Sequence, residues 1–287
     1  MPAHQHTSLP LSTIAARRLF TASLATAATI ASAAFAHSIG AQSPTSHAGS
    51  RSANAVATKP TIVLVHGAFA NASSWARVIP LLQHDGYTVI AVENPLTSLE
   101  TDVATTRRVI DAQAGPVVAV GHSYGGAVIT AAAAGSPNVK ALVYVTALAP
   151  DSGEAVAAFL DKYPAPLGKA LVPDAAGFLS IKPSLLRDVF AADLPRRETD
   201  VMAVSQKPIN GASFAATVPA AAWKQIPSWF LVATNDRAIN PELERFYAKR
   251  MNAHTTEIAS SHVPFLSQPA AVARLIEQAA SATQVGR

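Results

Sequence analysis

The chain has 287 residues, of which 49% are hydrophobic and 14% are charged, and this composition excludes an intrinsically disordered protein. Cysteine is absent, which excludes disulfides and thiolate metal sites. The net charge is only +4, and the basic residues are scattered rather than clustered, so no nucleic-acid partner is indicated.

The first 36 residues resemble an export signal of the twin-arginine type. Arg17 and Arg18 precede an uncharged stretch that ends in an Ala-Phe-Ala motif at 34–36. This stretch is rich in alanine and threonine and poor in leucine, so it is a weak candidate for a membrane span. We expect a cleaved signal peptide and a periplasmic or secreted protein, with a retained anchor or a fortuitous alanine-rich extension as the alternatives. Residues 37–58 are small and polar, and they predict a disordered linker.

From Lys59 onwards, short apolar runs alternate with helical stretches. Six runs rich in β-branched residues predict strands that are buried on both faces, at 61–65, 88–92, 116–120, 139–145, 228–233 and 255–259. Helices are predicted over 75–84, where Ser73 and Ser74 supply the cap, and over 97–114, 124–134, 242–251 and 269–280. This alternation predicts an α/β fold, with a mostly parallel, doubly wound sheet of about six strands.

The interval 151–222 breaks the alternation. It lacks strong strand patterns and contains seven prolines, and a structureless loop of this length is not expected in a compact domain. We therefore predict a helical cap over about 151–222, inserted after the fourth strand of a domain that spans 59–287. Several cap aromatics could line an apolar pocket, although packing between helices is the default use for most of them: Phe159, Tyr163, Phe178, Phe190, Phe214 and Trp223.

A Gly-His-Ser-Tyr-Gly motif at 121–125 directly follows the third apolar run. A Gly-x-Ser-x-Gly pattern alone arises by chance in about 10% of chains of this length. Its position after a strand and before a helix is the informative part, because this is the context of a nucleophile elbow. The glycines permit a tight turn with Ser123 in an unfavourable conformation. Ser123 is the predicted nucleophile, and a plain turn is the alternative.

A serine hydroxyl needs a base to take its proton. His262 follows the last apolar run and is the predicted base. His122 adjoins the serine and is expected to pack or to form a hydrogen bond. For the remaining histidines near the ends of elements, an exposed surface position is the default expectation: His66, His84 and His254.

The imidazole in turn needs a carboxylate to fix its tautomer. Asp236 follows the fifth run and is favoured for this role. Asp151 follows the fourth run and is the alternative, although we expect it to cap the first cap helix together with Ser152. The chain order Ser123, Asp236, His262 is the order found in α/β-hydrolases.

The first apolar run ends in His-Gly-Ala-Phe at 66–69. Gly67 allows the backbone to turn beneath the serine, and the N–H groups of Ala68 and Tyr124 are the expected oxyanion hole. A plain turn at the end of the strand is the alternative. Phe69 and Phe265 are expected to border the substrate site.

Four segments together resemble the α/β-hydrolase superfamily over about 61–280: LVHGAFANASSW, VGHSYGG, TNDRAINPE and SSHVPFLSQP. Within it they resemble the small-capped group of plant methylesterases, hydroxynitrile lyases and bacterial hydrolases. This resemblance implies an oxyanion N–H at Ala68. Lyases of the group carry a threonine in place of Gly67 and a lysine in place of Val263, so both positions favour ester hydrolysis here. The superfamily's first two strands have no predicted counterpart before Thr61.

The sequence thus predicts a serine hydrolase that cleaves small, largely apolar carboxylic esters through an acyl-enzyme, with no cofactor or metal. A lyase or C–C bond hydrolase on the same triad is one alternative, with an extra acid from Lys162, Tyr163 or Lys169. A ligand-binding protein with little turnover is another. The expected partner is a small-molecule ester, without nucleic acid and without stable membrane association once the signal is cleaved.

Overall fold

The computed structural model describes residues 59–283, so the predicted export signal (1–36) and linker (37–58) lie outside the described residues. The strands are β1 (Thr61–Val65), β2 (Val89–Val92), β3 (Val117–His122), β4 (Val139–Val145), β5 (Leu171–Pro173), β6 (Phe178–Ile181), β7 (Ile209–Asn210), β8 (Ser228–Ala233) and β9 (His254–Ile258). The α-helices are α1 (Ile79–His84), α2 (Leu99–Asp111), α3 (Tyr124–Ala132), α4 (Pro183–Phe190), α5 (Arg196–Ser205), α6 (Ala212–Ala215), α7 (Pro241–Arg250), α8 (Pro264–Ser267) and α9 (Pro269–Ala282).

Six of these strands form one parallel sheet in the order β2-β1-β3-β4-β8-β9, which confirms the predicted α/β fold. Strands β3 and β8 are buried along their whole length, as their continuous apolar sequences require. The prediction of burial on both faces was wrong for β9, because this strand lies at the edge of the sheet and four of its five residues are exposed. Helices α2 and α3 pack together and against β1, whereas α9 packs beside α1 and against β3, β4 and β8. From β1 the chain passes to β2 on one side of it and then crosses over to β3 on the other side. A crevice therefore opens beyond the carboxyl ends of β1 and β3.

Helix α3 is buried at every position, and its small residues allow it to lie close to the sheet. A Cβ atom at Gly126 would lie 2.5 Å from the Leu148 carbonyl oxygen and 2.7 Å from the Ala147 Cβ. Only glycine therefore lets the first turn of this helix approach the loop that follows β4.

The insertion between β4 and β8 contains α4, α5 and α6, as predicted for a helical cap, together with a small sheet that the sequence did not indicate. Strands β5, β6 and β7 form this antiparallel sheet. Each has only two to four residues, which is too short for a periodic pattern to stand out. The prediction that Asp151 caps a helix was wrong, because a turn follows it and its carboxylate pairs with Lys224 at 2.6 Å.

The predicted helix over 75–84 was wrong at its start. Asn71, rather than Ser73 or Ser74, caps a short 3₁₀ helix at Ala72–Trp75 by accepting a hydrogen bond from the Ser73 N–H at 3.0 Å. The α-helix begins only at Ile79, where a proline lies within its first two positions. Within residues 59–283, no helix combines the length and apolar character needed to cross a membrane.

Candidate active site

Ser123 lies between the end of β3 and the first residue of α3, with φ 54° and ψ −123°. Non-glycine residues rarely adopt this conformation, and they keep it only where the surroundings hold them in place. Here the Ser123 N–H donates to the Val145 carbonyl at 3.3 Å, and the Ser123 carbonyl accepts from the Leu148 N–H at 3.1 Å. These two bonds attach the strained residue to the end of β4 and to the loop beyond it.

The neighbouring glycines allow the turn at Ser123 to close tightly. A Cβ at Gly121 would lie 2.5 Å from the Gly125 carbonyl oxygen, and one at Gly125 would lie 2.6 Å from the Val65 carbonyl oxygen. From the other side of the crevice, a Cβ at Gly67 would lie 2.8 Å from the Ser123 Cβ. The loop after β1 and the turn after β3 therefore meet at the serine.

Two backbone donors lie beside Ser123. The N–H groups of Ala68 and Tyr124 donate no hydrogen bond to any group in the described part of the chain. Tyr124 directly follows the serine, and Ala68 directly follows Gly67. Phe69 has φ 64°, so the chain turns sharply just after Ala68. This arrangement is able to present two free N–H groups to an oxygen atom bound next to the serine.

His262 and Asp236 form a buried pair. The His262 Nδ1 donates to the Asp236 Oδ2 at 2.5 Å, and the two residues are 1% and 5% exposed. The other oxygen of Asp236 accepts from the N–H groups of Ala238 at 2.6 Å and Ile239 at 3.0 Å. Because Nδ1 carries the proton, Nε2 is the basic nitrogen of His262. Within residues 59–283, neither Ser123 nor any other residue forms a hydrogen bond with His262 Nε2.

The structure thus brings Asp236, and not Asp151, to His262. It also gives His122 the hydrogen-bonding role expected of it, because its Nε2 donates to the His262 carbonyl at 2.9 Å. Burial, and secondarily His262, hold the pKa of His122 well below its usual range, so the ring is neutral. Sequence reasoning missed Thr146, whose hydroxyl donates to the same carbonyl at 3.0 Å. The signal that could have identified Thr146 is its position directly after β4, at the end of the sheet where the site residues lie.

His66 is a correction to the sequence-based expectation, because it is fully buried rather than exposed. Its Nε2 accepts from the Asn94 N–H at 3.0 Å, and its Nδ1 donates to the Gly67 carbonyl at 2.8 Å. His66 therefore fixes the loop that carries Gly67 and Ala68. His84 and His254 are exposed, as expected.

Glu244 of α7 is a fully buried acid that the sequence did not single out. Its Oε2 accepts from the N–H of Ala233, the last residue of β8, at 2.9 Å, and Asp236 lies three residues further on. Burial, and after it the negative charge of Asp236, raise the pKa of Glu244 well above its usual range. The residue therefore supports the turn that carries Asp236 while remaining a neutral acid.

Asp193 of the cap was also missed. It accepts hydrogen bonds from the Ser261 N–H at 2.9 Å, from the Ser260 hydroxyl at 3.1 Å and from the Ser261 hydroxyl. Burial alone would raise the pKa of Asp193, but these donors outweigh it and the net shift is downwards. One cap carboxylate thus ties down the two residues that precede His262.

Phe69 and Phe265, expected to border the substrate site, both line a cavity of about 130 Å³ between the cap and the segments that follow β1 and β9. Its other apolar walls come from Leu186, Phe190, Met202, Val263 and Leu266, and its polar walls come from Asn71, Ser73, Ser74, Ser205 and Gln206. Of the cap aromatics, Phe190 contacts His262, with ring centroids 4.9 Å apart. By contrast, Phe159 and Tyr163 pack against Phe246 of α7, and Trp223 donates to the Pro150 carbonyl.

A parallel sheet with a strained serine after β3 and a buried His–Asp pair after β9 and β8 defines an enzyme of the α/β-hydrolase class. The model of the alpha/beta hydrolase family matches residues 62–275, and the chain belongs to this family. Its named relatives include hydrolases and esterases, and it is a carboxylesterase-like enzyme of this fold.

Two curated relatives and one solved structure illustrate the similarity. The chain is 27% identical to the alpha/beta hydrolase nvfD of Aspergillus novofumigatus, over 77% of this chain and 97% of that protein. It is 23% identical to methylesterase 8 of Arabidopsis thaliana, over 74% and 86%. A pyrethroid hydrolase from Sphingobium faniae shares the fold, with a TM-score of 0.68 and 23% identity over 78% of this chain and 98% of that one.

Proposed function

We propose that the protein is a serine hydrolase that cleaves small, largely apolar carboxylic esters. Ser123 is the nucleophile, His262 the general base, and Asp236 the carboxylate that orients His262. The observation that carries this proposal is the 2.5 Å bond from His262 Nδ1 to Asp236, which leaves Nε2 as a buried base with no partner among the described residues. The strained conformation of Ser123 supports the same assignment, because such strain is concentrated at functional sites.

In the proposed reaction, His262 Nε2 takes the hydroxyl proton as Ser123 Oγ forms a bond to the ester carbonyl carbon. The N–H groups of Ala68 and Tyr124 hold the oxyanion that develops. When the carbonyl reforms, the C–O bond to the alcohol breaks and His262 returns the proton to the departing oxygen. Water then attacks the acyl-enzyme with His262 as its base, and the acid leaves as Ser123 regains its proton.

The apolar surroundings support a neutral ester as the substrate. The Phe190 ring contacts His262, Phe69 and Phe265 line the adjoining cavity, and none of these side chains carries a charge that could neutralise an anionic substrate. The relatives named methylesterase and pyrethroid hydrolase support the same reaction type.

A lyase or C–C bond hydrolase is the second candidate, because the chain is 34% identical over 119 residues to an alpha-hydroxynitrile lyase of Arabidopsis thaliana. That match covers only 37% of this chain. The extra acids considered for such chemistry do not favour it, since Lys162 and Lys169 are exposed and Tyr163 stacks on Phe246. Turnover of cyanohydrins or diketones without turnover of esters would support this candidate instead.

We further propose that the chain is exported, on the basis of Arg17, Arg18 and the uncharged stretch after them. Fractionation of cells that express the full chain tests this, with both arginines replaced by lysine as the comparison. Retention of the double variant inside the cell, together with export of the unchanged chain, is the expected result. Equal distribution of the two chains would contradict a twin-arginine route.

Hydrolysis of short aryl and alkyl esters tests the enzymatic proposal. We expect Ser123→Ala to lower turnover by about 10⁴-fold or more, and Asp236→Asn to lower it by about 10⁴-fold while leaving the fold intact. Ser152→Ala is the matched control, because this exposed serine lies in the turn after β4 and its hydroxyl donates to the Pro219 carbonyl. Undiminished turnover by the Ser123 variant would refute the assignment.

A further inference from the structure

The cavity lined by Phe69 and Phe265 lies next to the candidate active site, yet Ser123 and His262 are not among its lining residues. Its walls include Phe69, one residue after Ala68, and Val263, one residue after His262. The space is therefore separated from the reacting atoms by a thin layer of side chains.

Phe190 is the main element of this layer. It is the last residue of α4, only 4% exposed, and it lines the cavity. Its ring contacts His262 edge to face at 4.9 Å between centroids, and it meets Phe69 at 6.3 Å and His122 at 6.4 Å. One side chain thus touches the predicted base, the neighbour of the predicted oxyanion donor, and the cavity beyond.

The cavity is of a useful size for part of a substrate. Its volume is about 130 Å³, and an apolar cavity of about 150 Å³ is able to hold benzene. Leu186, Met202 and Phe265 make much of its wall apolar, so a phenyl ring or a branched alkyl group would fit its size and chemistry.

We infer that Phe190 is a specificity-determining residue that limits the size of the ester's alcohol group by closing the site off from this cavity. The inference rests on the proposed roles of Ser123 and His262. His262 gives its proton to the departing alcohol oxygen, so the alcohol is the part of the ester that lies along the imidazole. Phe190 covers that imidazole, and therefore a larger alcohol meets this ring first.

Phe190→Ala tests the inference through a ratio of kcat/KM values. With ethyl acetate and benzyl acetate as substrates, we expect the variant to raise the benzyl-to-ethyl ratio by at least about tenfold, since one methylene in an apolar pocket already changes selectivity by about 10- to 200-fold. The ratio of ethyl phenylacetate to ethyl acetate, which varies the acid instead, should change much less. Phe190→Leu should give an intermediate ratio and guards against a misfolded alanine variant.

Leu185→Ala is the matched control, because Leu185 is a half-buried residue of the same helix that is not among the residues lining the cavity. It removes an apolar side chain of α4 and leaves the ring and the cavity wall in place, so we expect its benzyl-to-ethyl ratio to stay unchanged. Equal slowing of all three esters in both Phe190 variants would overturn the inference and reduce Phe190 to a packing role. Absence of ethyl acetate hydrolysis by the unchanged enzyme would instead be a failure of the proposed function.

Discussion

Replacing Glu244 by glutamine measures how much the buried Glu244 carboxyl, next to Asp236, lowers the free energy of unfolding. Glutamine keeps an oxygen for the Ala233 N–H, which Glu244 accepts at 2.9 Å, and it mimics the neutral form of the acid. Burial and the Asp236 charge raise the pKa of Glu244 in the folded protein, whereas in the unfolded chain it lies near 4.5. Above pH 4.5 the unfolded chain therefore releases the Glu244 proton while the folded protein still holds it. The wild-type protein therefore loses stability as the pH rises above this value.

The size of the effect follows from linkage. Below pH 4.5 both states carry the proton and the two proteins should differ little. Each pH unit above it, up to the folded-state pKa, costs the wild type about 1.4 kcal/mol. The glutamine variant is thus expected to match the wild type at pH 4 and to become more stable than it as the pH rises, by no more than about 3.4 kcal/mol at pH 7.

Urea unfolding at a series of pH values from 4 to 8 measures this difference. Glu242→Gln is the control, because this residue lies on the same helix with a side chain that is 65% exposed and paired with Arg245. We expect its difference from the wild type to stay nearly constant with pH. Parallel stability curves for Glu244→Gln and the wild type would refute the reasoning, since they would show that the buried carboxyl ionises in the folded protein as it does in the unfolded chain.

Two further substitutions test the geometry around the serine. Gly67→Ala places a Cβ 2.8 Å from the Ser123 Cβ, so the loop after β1 must shift. We expect this shift to lower kcat/KM for a short ester by about 100-fold. An unchanged kcat/KM would contradict the close approach of the loop to Ser123. Asp193→Ala removes the acceptor that ties Ser260 and Ser261 to the cap, so we expect kcat to fall by roughly tenfold while KM changes little. A change confined to KM, measured on the same ester, would count against a role in positioning His262.

The elements that position Ser123 and the His262–Asp236 pair could be predicted from the sequence because their signals are local. Ser123 and Asp236 each follow a continuous apolar run, and His262 follows the β-branched strand β9, although that strand is mostly exposed; in a parallel sheet the ends of these strands meet at one edge. The glycines around Ser123 added a second local signal, since close approach of the backbone requires them.

The supporting residues could not be predicted because their roles depend on contacts between distant segments. Glu244 lies in a helix rich in charged residues and has the sequence context of an exposed side chain, yet α7 directs it at the end of β8. Asp193 lies 68 residues before Ser261, within a cap whose short strands leave no periodic trace. The start of α1 was misplaced because Asn71 first caps a separate 3₁₀ helix at Ala72–Trp75, and the α-helix begins only at Ile79.

Covalent labelling by a fluorophosphonate, read by intact mass and then by peptide mapping, tests the central claim most directly. A fluorophosphonate reacts only with a serine that an adjacent base has activated. We expect one adduct per chain, located on Ser123, and its loss in Ser123→Ala together with strong slowing in His262→Ala. An unlabelled wild-type protein, or an adduct on another serine, would contradict the proposed mechanism.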